Sequence, residues 1–436
     1  MRARFLILLI FSLFMWATSQ LPSRQKPAEL IESVATFVCP AKNGENSGMI
    51  HLGRKGIANA SVNAKNSELK KSRTRSIKLG SKARVVTGEA ATPLLVSSKS
   101  ETWLAATQCA ASAGEFWFVG GSADVSSQGY FQFTNENLGK AIIDVELWSE
   151  DGSESTRTLT IPPRATKNFS LTTFMPGKKL TVFHVSSRSG LVSANLFDAR
   201  RKGLTNYGGD YVAPATMPSK KVVMTGNIGP KFSKKSKISS QKIRILVPGE
   251  SDAIIQVTYL SPTGIFAPIG LDSLRIPAQQ VVEVALPKLP SEALFTLRID
   301  SSEPILAGTI TRGSFGDRRE LLWVGGSQPI FGERLALPEQ KGLLSIVTEA
   351  TKVNFTVTGK NGKKSRISIP VDAMAIWRMP ASAREIEFTR TSQGIFLALA
   401  LQNSAGVTTT SLSPAQVREL SALPVVDSRL YIPSAR

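Results

Sequence analysis

Histidine and cysteine are nearly absent from this chain. Its 436 residues include two histidines, His51 and His184, and two cysteines, Cys39 and Cys109. No Cys, Asp or Glu stands at ligand-like spacing from His184, so a zinc or copper site is not expected. Neither histidine lies near a Gly-x-Ser-x-Gly turn, which disfavours a Ser-His-Asp hydrolase. We therefore predict no metal and no cofactor, and we interpret His184 as a solvated or hydrogen-bonded strand residue.

Acidic residues are also scarce, with 33 Asp and Glu against 53 Lys and Arg. Paired carboxylates can support glycoside hydrolysis, but many of these acids stand in predicted turns. Asp144 and Glu146 share the polar face of one strand, where a solvated surface pair is the expected role. The glycine pairs at 120–121 and 325–326 lack the Lys-Ser/Thr that follows in a phosphate-binding loop. We expect no enzyme, and a β-sandwich enzyme acting on glycosides is the last alternative.

Long apolar runs are absent after the N-terminus. Residues 5–17 form an apolar stretch of about 13 residues behind a basic start, short of the ~20 that cross a bilayer. Because the small residues Ala17-Thr-Ser19 follow, residues 1–19 are predicted to be a secretory signal peptide, with an uncleaved membrane anchor as the alternative. Residues 20–33 are predicted to be a linker. We expect a secreted or envelope-associated protein.

The two cysteines are predicted to form a disulfide. Export would place them in an oxidising compartment, where a pair of cysteines is more often bridged than free. A bond between Cys39 and Cys109 would stabilise the first unit by roughly 4 kcal/mol in the chain-entropy model. Two unpaired, buried thiols are the alternative.

Alternation of apolar and polar residues is what the chain has in abundance. The stretch from Ile143 to Trp148 alternates as a half-buried strand does. One order of features also recurs: a glycine turn, a strand that ends at Ile-Pro, and two further apolar strands. The Ile-Pro steps are Ile161-Pro162, Ile276-Pro277 and Ile369-Pro370, with a fainter copy at Ile77 that lacks the proline. A spacing of about a hundred residues is that of immunoglobulin-like domains. We predict an all-β chain of tandem β-sandwiches.

Four units follow from this repeat, with predicted bounds 34–111, 115–213, 214–313 and 320–436. Segments 115–122 and 320–327 share a Glu and an aromatic-Val-Gly-Gly-Ser ending, and each is predicted to open a unit. Their glycines suit a strand exit with positive φ or a close approach between domains. Ser413-Pro414 predicts a short helix over 415–420. A last strand is predicted over 425–432.

Positive charge is concentrated in two segments of a chain whose formal net charge is +20. The first lies in unit 1 and is predicted to be in part a mobile hairpin tip; the second, within 220–244, is centred on a loop of unit 3. The candidate polyanion-binding residues are Lys65, Lys70, Lys71, Arg73, Arg75, Lys78, Lys82, Arg84, Lys231, Lys234, Lys235 and Lys237. Such a field attracts polyanions and weakens with salt. The alternative is that the charge only keeps the protein soluble.

Five tryptophans suggest a second kind of binding. Exposed indole rings can serve as platforms for sugars, whereas tryptophans in alternating strands usually pack in the core. The candidates are Trp103, Trp117, Trp148, Trp323 and Trp377. A glycan-binding module that uses exposed aromatics is therefore the alternative function.

The chain resembles a family of exported actinobacterial proteins, domain of unknown function 5719. Three segments carry the resemblance: Cys39-Pro40, Cys109-Ala110 ahead of Phe116-Trp-Phe-Val-Gly-Gly121, and Phe266-Ala-Pro-Ile-Gly-Leu-Asp272 leading into Arg275-Ile-Pro-Ala278. Ile269 stands where the family has alanine, and Gln279 stands where it has glycine. The resemblance covers essentially the whole mature chain. It implies export, β-sandwich modules and envelope association, and it assigns no activity and no functional residues.

Together these features predict a non-catalytic envelope protein that acts as a scaffold or interaction module. Outside a Gram-positive-type cell the plentiful polyanions are wall phosphates, acidic glycans and anionic lipid surfaces. We expect the basic segments to contact one of these, with other envelope proteins as further partners. Specific nucleic-acid binding is not expected at that location, although basic loops bind nucleic acid non-specifically in solution.

Overall fold

β-Strands form the regular structure of the described residues, together with one 3-10 turn, Leu171–Thr173. The computed structural model describes residues 36–63, 69–87, 91–99, 102–287, 289–316 and 318–414, which lie within one compact unit, Ala35–Val417. The all-β prediction of tandem sandwiches is confirmed. Four other predictions lie outside the described residues: the signal peptide (1–19), the linker (20–33), the helix (415–420) and the last strand (425–432).

The first sandwich consists of two four-stranded antiparallel sheets. Its strands are β1 (Thr36–Cys39), β2 (Ser47–His51), β3 (Ala58–Ser61), β4 (Lys70–Lys71), β5 (Ser76–Lys78), β6 (Arg84–Thr87), β7 (Leu94–Lys99) and β8 (Trp103–Gln108). The sheet orders are β1-β6-β3-β4 and β5-β2-β7-β8. Cys39 and Cys109 form the predicted disulfide, with Cα atoms 4.4 Å apart. It connects the first strand to the residue that follows the last one.

The second sandwich repeats this two-sheet plan with longer strands. They are β9 (Glu115–Val119), β10 (Tyr130–Asn135), β11 (Ala141–Ser149), β12 (Gly152–Ile161), β13 (Ala165–Ser170), β14 (Val182–Ser189), β15 (Ser193–Lys202) and β16 (Thr205–Val212). The sheet orders are β13-β10-β15-β16 and β12-β11-β14-β9. Ser149 pairs with Gly152, whose φ of 114° closes the predicted hairpin. The strand β12 ends at Ile161, because the proline that follows has no N–H to donate.

The third sandwich is built around one long strand. Its strands are β17 (Ser219–Ile228), β18 (Ser236–Leu246), β19 (Ala253–Ser261), β20 (Gly264–Phe266), β21 (Leu274–Ile276), β22 (Val282–Ala285), β23 (Leu294–Phe315) and β24 (Arg318–Gly325). The first half of β23 pairs with β17 and β19, and its second half pairs with β18 and β24. Pro304 lies at the changeover, where the loss of one N–H donor breaks neither ladder.

The boundary between the third and fourth sandwiches differs from the prediction. Segment 320–327 was predicted to open the fourth unit, but β24 pairs along its length with β23, from Phe315 opposite Arg318 to Gly308 opposite Gly325. It therefore closes the third sandwich. The cause is a tight reversal at Gly316, whose φ is 72°. The similar segment 115–122 does open the second sandwich, as β9.

The fourth sandwich again has two four-stranded sheets. Its strands are β25 (Arg334–Ala336), β26 (Gly342–Thr348), β27 (Lys352–Gly359), β28 (Lys364–Pro370), β29 (Ala375–Met379), β30 (Ala383–Phe388), β31 (Ile395–Asn403) and β32 (Gly406–Leu412). The sheet orders are β25-β30-β27-β28 and β29-β26-β31-β32. Pro370 is the last residue of β28, an edge strand, where the missing N–H costs no ladder bond.

The sandwiches share buried surface with one another. Leu94, Leu104 and Ala106 of the first sandwich belong to the hydrophobic cluster of the fourth. Backbone bonds connect the same two sandwiches, from Thr92 N to Arg334 O at 2.8 Å and from Ala336 N to Thr92 O at 3.0 Å. The first sandwich therefore contacts the fourth directly, although two others lie between them in sequence.

Candidate functional site

The first basic segment forms an exposed surface on the first sandwich. Lys70 and Lys71 make up the edge strand β4, which pairs with β3. Five of the predicted cations are exposed and one, Arg75, is partly buried. Together they define the basic surface used below: Lys70, Lys71, Arg73, Arg75, Lys78 and Lys82. Short strands as well as turns carry these residues. The mobile hairpin tip stays a prediction, because residues 64–68 of this segment lie outside the described residues.

Arg84, one member of the predicted set, does not belong to this surface. Arg84 is partly buried, and its Nη1 donates to Asn59 Oδ1 at 3.2 Å. Burial also lowers the pKa of this guanidinium. Arg84 therefore has a structural role in the sheet of β3 and β6. Lys65 lies outside the described residues.

The second basic segment is the loop between β17 and β18. Lys231, Lys234 and Lys235 are exposed on it, and Lys237 is exposed at the start of β18. Phe232 anchors the loop by packing against the cluster shared by the third and fourth sandwiches. The structure thus places the two basic groups on different sandwiches.

The exposed cations have few acidic neighbours. Within the part of the chain that the structure describes, none of the basic-surface residues or the four loop lysines forms an ion pair. Elsewhere acids do pair with cations, as Asp252 does with Arg275 at 2.8 Å. The positive field of these two groups is therefore not neutralised locally.

Arg244, at the end of the second basic segment, has the opposite character. Its side chain is 1% exposed. Nη1 donates to Gly121 O at 2.7 Å and to Thr181 O at 3.1 Å, and Nη2 donates to Glu283 Oε1 at 2.8 Å. The basic loop within 220–244 therefore does not extend to this residue, because its guanidinium joins the second sandwich to the third.

Trp323 continues this buried junction. The Arg244 guanidinium lies 4.9 Å from the centroid of its ring. Its Nε1 donates to Asp198 Oδ2 at 3.0 Å. Arg200 in turn donates to both oxygens of Asp198, at 2.8 and 2.9 Å. Charges this deeply buried are stabilised only if they are paired, and both arginines here are paired.

Asp210 connects three sandwiches. Its Oδ1 accepts from Tyr211 N at 2.9 Å and from Thr408 Oγ1 at 3.1 Å, and its Oδ2 accepts from Trp323 N at 3.2 Å. Tyr211 belongs to the second sandwich, Trp323 to the third and Thr408 to the fourth. Burial raises the pKa of Asp210 well above its usual value, against the lowering effect of these donors.

Glu320 on β24 is a second buried acid in the junction whose pKa is raised. It is 1% exposed, and its Oε1 accepts from Val407 N at 3.3 Å. Burial raises its pKa to about 9, although the Val407 N–H acts in the opposite direction. Gly406 lies so close to this carboxyl group that a Cβ added at Gly406 would be 1.7 Å from Glu320 Oε1. Glu283 differs: burial would raise its pKa, but the Arg244 and Lys242 charges prevail and lower it.

The shared glycine pattern helps to form this junction. A Cβ at Gly120 would lie 2.8 Å from Val212 and 3.1 Å from Trp323, and Gly121 has a φ of 87°. Both predicted roles of this glycine pair, a close approach between domains and a positive φ, are therefore confirmed. Sequence reasoning missed the junction itself. The available signal was an acid directly after large apolar residues, as Asp198 is after Leu196 and Phe197.

His184 is stacked on an aromatic ring and hydrogen-bonded through both ring nitrogens. His184 stacks on Trp117 with ring centroids 4.1 Å apart. Its Nδ1 lies 2.9 Å from Glu146 Oε2 and its Nε2 lies 2.8 Å from Glu115 Oε1. It is thus the hydrogen-bonded strand residue of the prediction. No group of three or more His, Cys, Asp or Glu side chains in the described residues could hold a metal ion.

The tryptophans divide into two classes. Four of the five candidates are only 1–7% exposed: Trp103, Trp117, Trp148 and Trp323. Trp377 on β29 is partly exposed and packs edge-on against Phe355, with centroids 5.3 Å apart. The four buried rings are not accessible to a sugar, so Trp377 alone among the five could serve as a platform.

Comparison with protein-family models identifies the chain. The model described as "Family of unknown function (DUF5719)" matches residues 67–372. The chain belongs to this family. In the DUF5719 chain, Gln279 has a φ of 60°, a conformation that favours glycine. No helix of the described residues is long and apolar enough to span a membrane.

Two solved structures show a distant likeness to the DUF5719 chain. A tetra-tandem repeat from the extending region of a large adhesion protein is 10% identical, covers 89% of this chain and 96% of its own, and gives a TM-score of 0.11. Trypsin-activated alpha-2-macroglobulin from Escherichia coli is 12% identical. The match covers 88% of this chain and 30% of the alpha-2-macroglobulin chain, with a TM-score of 0.10. These scores support no argument about fold or function. No curated protein matches the chain.

Proposed function

We propose that the protein is an exported, non-catalytic scaffold of the cell envelope that contacts anionic wall or membrane polymers through its basic residues. The observation that carries the proposal is the set of exposed cations on the first sandwich and on the β17–β18 loop. These side chains reach solvent without acidic partners among the described residues. Unpaired surface cations generate the long-range field that attracts a polyanion.

The connections between sandwiches support the scaffold part of the proposal. Asp210 accepts from groups of the second, third and fourth sandwiches, and Thr92 bonds to the fourth from the first. Buried hydrogen bonds of this kind hold neighbouring domains in one arrangement, because separation would leave polar groups unsatisfied. A fixed arrangement would present the two basic groups to one polymer at a constant separation.

The test is cosedimentation of the mature protein with purified envelope material across a salt series. We expect binding that weakens as the salt concentration rises, because exposed charges are screened. Changing Lys70, Lys71, Arg73 and Arg75 to Gln should weaken binding by up to about a thousandfold at low salt, given about 1 kcal/mol per basic residue near an anionic surface.

A matched control removes four charges elsewhere. Lys140, Arg157, Lys341 and Lys352 are exposed and lie on the second and fourth sandwiches, and their change to Gln lowers the net charge equally. This control should retain binding. Equal losses in both variants would mean that only net charge matters, and unchanged retention of the first variant would refute the basic surface as the contact.

A further inference from the structure

A pocket opens at one side of the fourth sandwich, between the edge strands β28 and β29. These strands end their respective sheets, so the space between them is not covered by a further strand. The pocket has a volume of about 740 Å³. Val357, Ile367 and Ala383 give it an aliphatic wall, and Trp377 lies beside them. This volume is within the range of small-ligand sites, roughly 300–1,000 Å³.

Trp377 differs from Trp117, Trp148 and Trp323 in its polar atom as well as in its exposure. The Nε1 groups of Trp117, Trp148 and Trp323 donate to side chains at 2.9–3.2 Å. In the described part of the chain, the Nε1 of Trp377 has no hydrogen-bond partner. Its ring is positioned by the edge-on contact with Phe355. A fixed indole with a free N–H can pack against an apolar face and donate one hydrogen bond.

The rim of the pocket is polar and positive. Lys360 and Lys363 line it from the β27–β28 turn, and both are exposed without an ion pair among the described residues. Asn361, Ser365 and Ser382 add amide and hydroxyl groups to the same lining. A ligand that fits must therefore have an apolar face, several hydroxyl groups and negative charge.

We propose that this pocket binds an anionic oligosaccharide, one that carries carboxylate or phosphate groups. The C–H face of a sugar ring would pack on Trp377, its hydroxyls would bond to the rim amide and hydroxyls, and its acid would lie near Lys360 and Lys363. A neutral glycan would leave both lysines unused, and an acyl chain would leave the rim polar groups unused. The site is separate from the basic surface and the β17–β18 loop.

The test follows tryptophan fluorescence of the full mature chain during titration with trigalacturonate and, in a second arm, with a trigalactoside that carries a phosphate group on each sugar. Binding should change the emission, because Trp377 is the accessible ring of the five. Trp377→Phe keeps an aromatic contact with Phe355, should lose the emission change, and should bind about tenfold more weakly by calorimetry, as expected for one lost stacking contact. The two arms distinguish a carboxylate source from a phosphate source.

Two variants and one control decide the outcome. Lys360→Gln with Lys363→Gln should weaken binding about tenfold at low salt and less at high salt, whereas Lys341→Gln with Lys352→Gln on the same sandwich should not. Equally tight binding of a neutral trigalactoside, or an unchanged emission response in Trp377→Phe, would overturn the proposal. Variants of the basic surface should leave trigalacturonate binding intact, so that failure here and failure of the envelope contact are separate results.

Discussion

His51 is 7% exposed at the contact between the first and fourth sandwiches. Burial, with the positive Arg384 nearby, lowers its pKa to about 4. The folded protein therefore keeps His51 neutral down to about pH 4, while the unfolded chain binds a proton below about 6.5. The contribution of neutral His51 to the free energy of unfolding is complete above about pH 6.5, and it is lost as the pH falls from about 6.5 to about 4.

We expect the wild type to lose about 2 kcal/mol of unfolding free energy at pH 5 through this residue, since each pKa unit corresponds to about 1.4 kcal/mol. The measurement is denaturant unfolding of the wild type and His51→Gln at pH 7.5 and pH 5. The variant lacks the titrating group, so its stability should fall less. An equal fall in both proteins would contradict the assignment.

The raised pKa of Glu320 predicts that stability depends on pH with the opposite sign. Its folded pKa of about 9 lies above the ordinary value of 4.5. The unfolded chain loses this proton above about pH 4.5 while the folded protein retains it, so stability is lost as the pH rises from 4.5 towards 9.

Between pH 5 and pH 7 the wild type should lose about 3 kcal/mol relative to Glu320→Gln, which stays neutral throughout. Chemical denaturation at both pH values measures this difference. Parallel curves for the two proteins would show that Glu320 is ionised in the folded state.

At the scale of elements, β16 and β24 approach each other through glycine. A Cβ at Gly208 would lie 2.4 Å from Leu321 N, and the residue has a φ of 91°. We expect Gly208→Ala to cost about 3 kcal/mol or more, because it adds a backbone clash to a strained dihedral.

Gly203 provides the matched control. Its φ is 57°, but nothing lies within 4 Å of an added Cβ. Gly203→Ala should therefore cost only about 1–2 kcal/mol for the dihedral. Thermal unfolding of both variants gives the comparison, and equal effects would mean that the contact between β16 and β24 can relax.

Individual strands could be predicted from sequence because their signals are local. The alternation after Ile143 appears as the strand β11, and Pro162 follows the end of β12. The continuity of β23 could not be predicted, since Pro304 normally indicates a strand end, and only the exchange of partners at this point accommodates it. The position of β24 in the third sandwich depends on its pairing with β23 across a turn. The sequence pattern that segment 320–327 shares with segment 115–122 contains no information on that pairing.

Residues of the candidate sites likewise differ in whether the sequence could predict them. Exposed lysines in polar segments were predictable, because few apolar residues surround Lys70 or Lys231. The burial of Arg244 was not, because its partners Gly121 and Glu283 come from distant parts of the chain. Trp377 could not be separated from the four buried tryptophans, since all lie in similar strands and only tertiary packing distinguishes them.

At the scale of the whole molecule, the shared cores predict cooperative unfolding. Removing the disulfide with Cys39→Ala and Cys109→Ala opens a loop whose ends are 70 residues apart. We expect the unfolding free energy to fall by roughly 4 kcal/mol in the chain-entropy model. The first and fourth sandwiches should still unfold together, because Leu94 and Leu104 are buried against the fourth.

Hydrogen exchange measures this directly. Amides of β8 and β32 should lose protection at the same denaturant concentration in both the wild type and the double variant. Loss of β8 protection well before that of β32 would show that the first sandwich unfolds independently.

The contact between the first and fourth sandwiches also bears on how the chain matures. Ala106 N donates to Thr408 Oγ1 across 302 residues. A ribosome completes residue 106 long before residue 408, so the first sandwich emerges without the surface that covers Leu94, Leu104 and Ala106. Pairings at such separation form slowly and leave apolar groups exposed meanwhile. We therefore expect the first sandwich to complete its packing only after the last one has been synthesised.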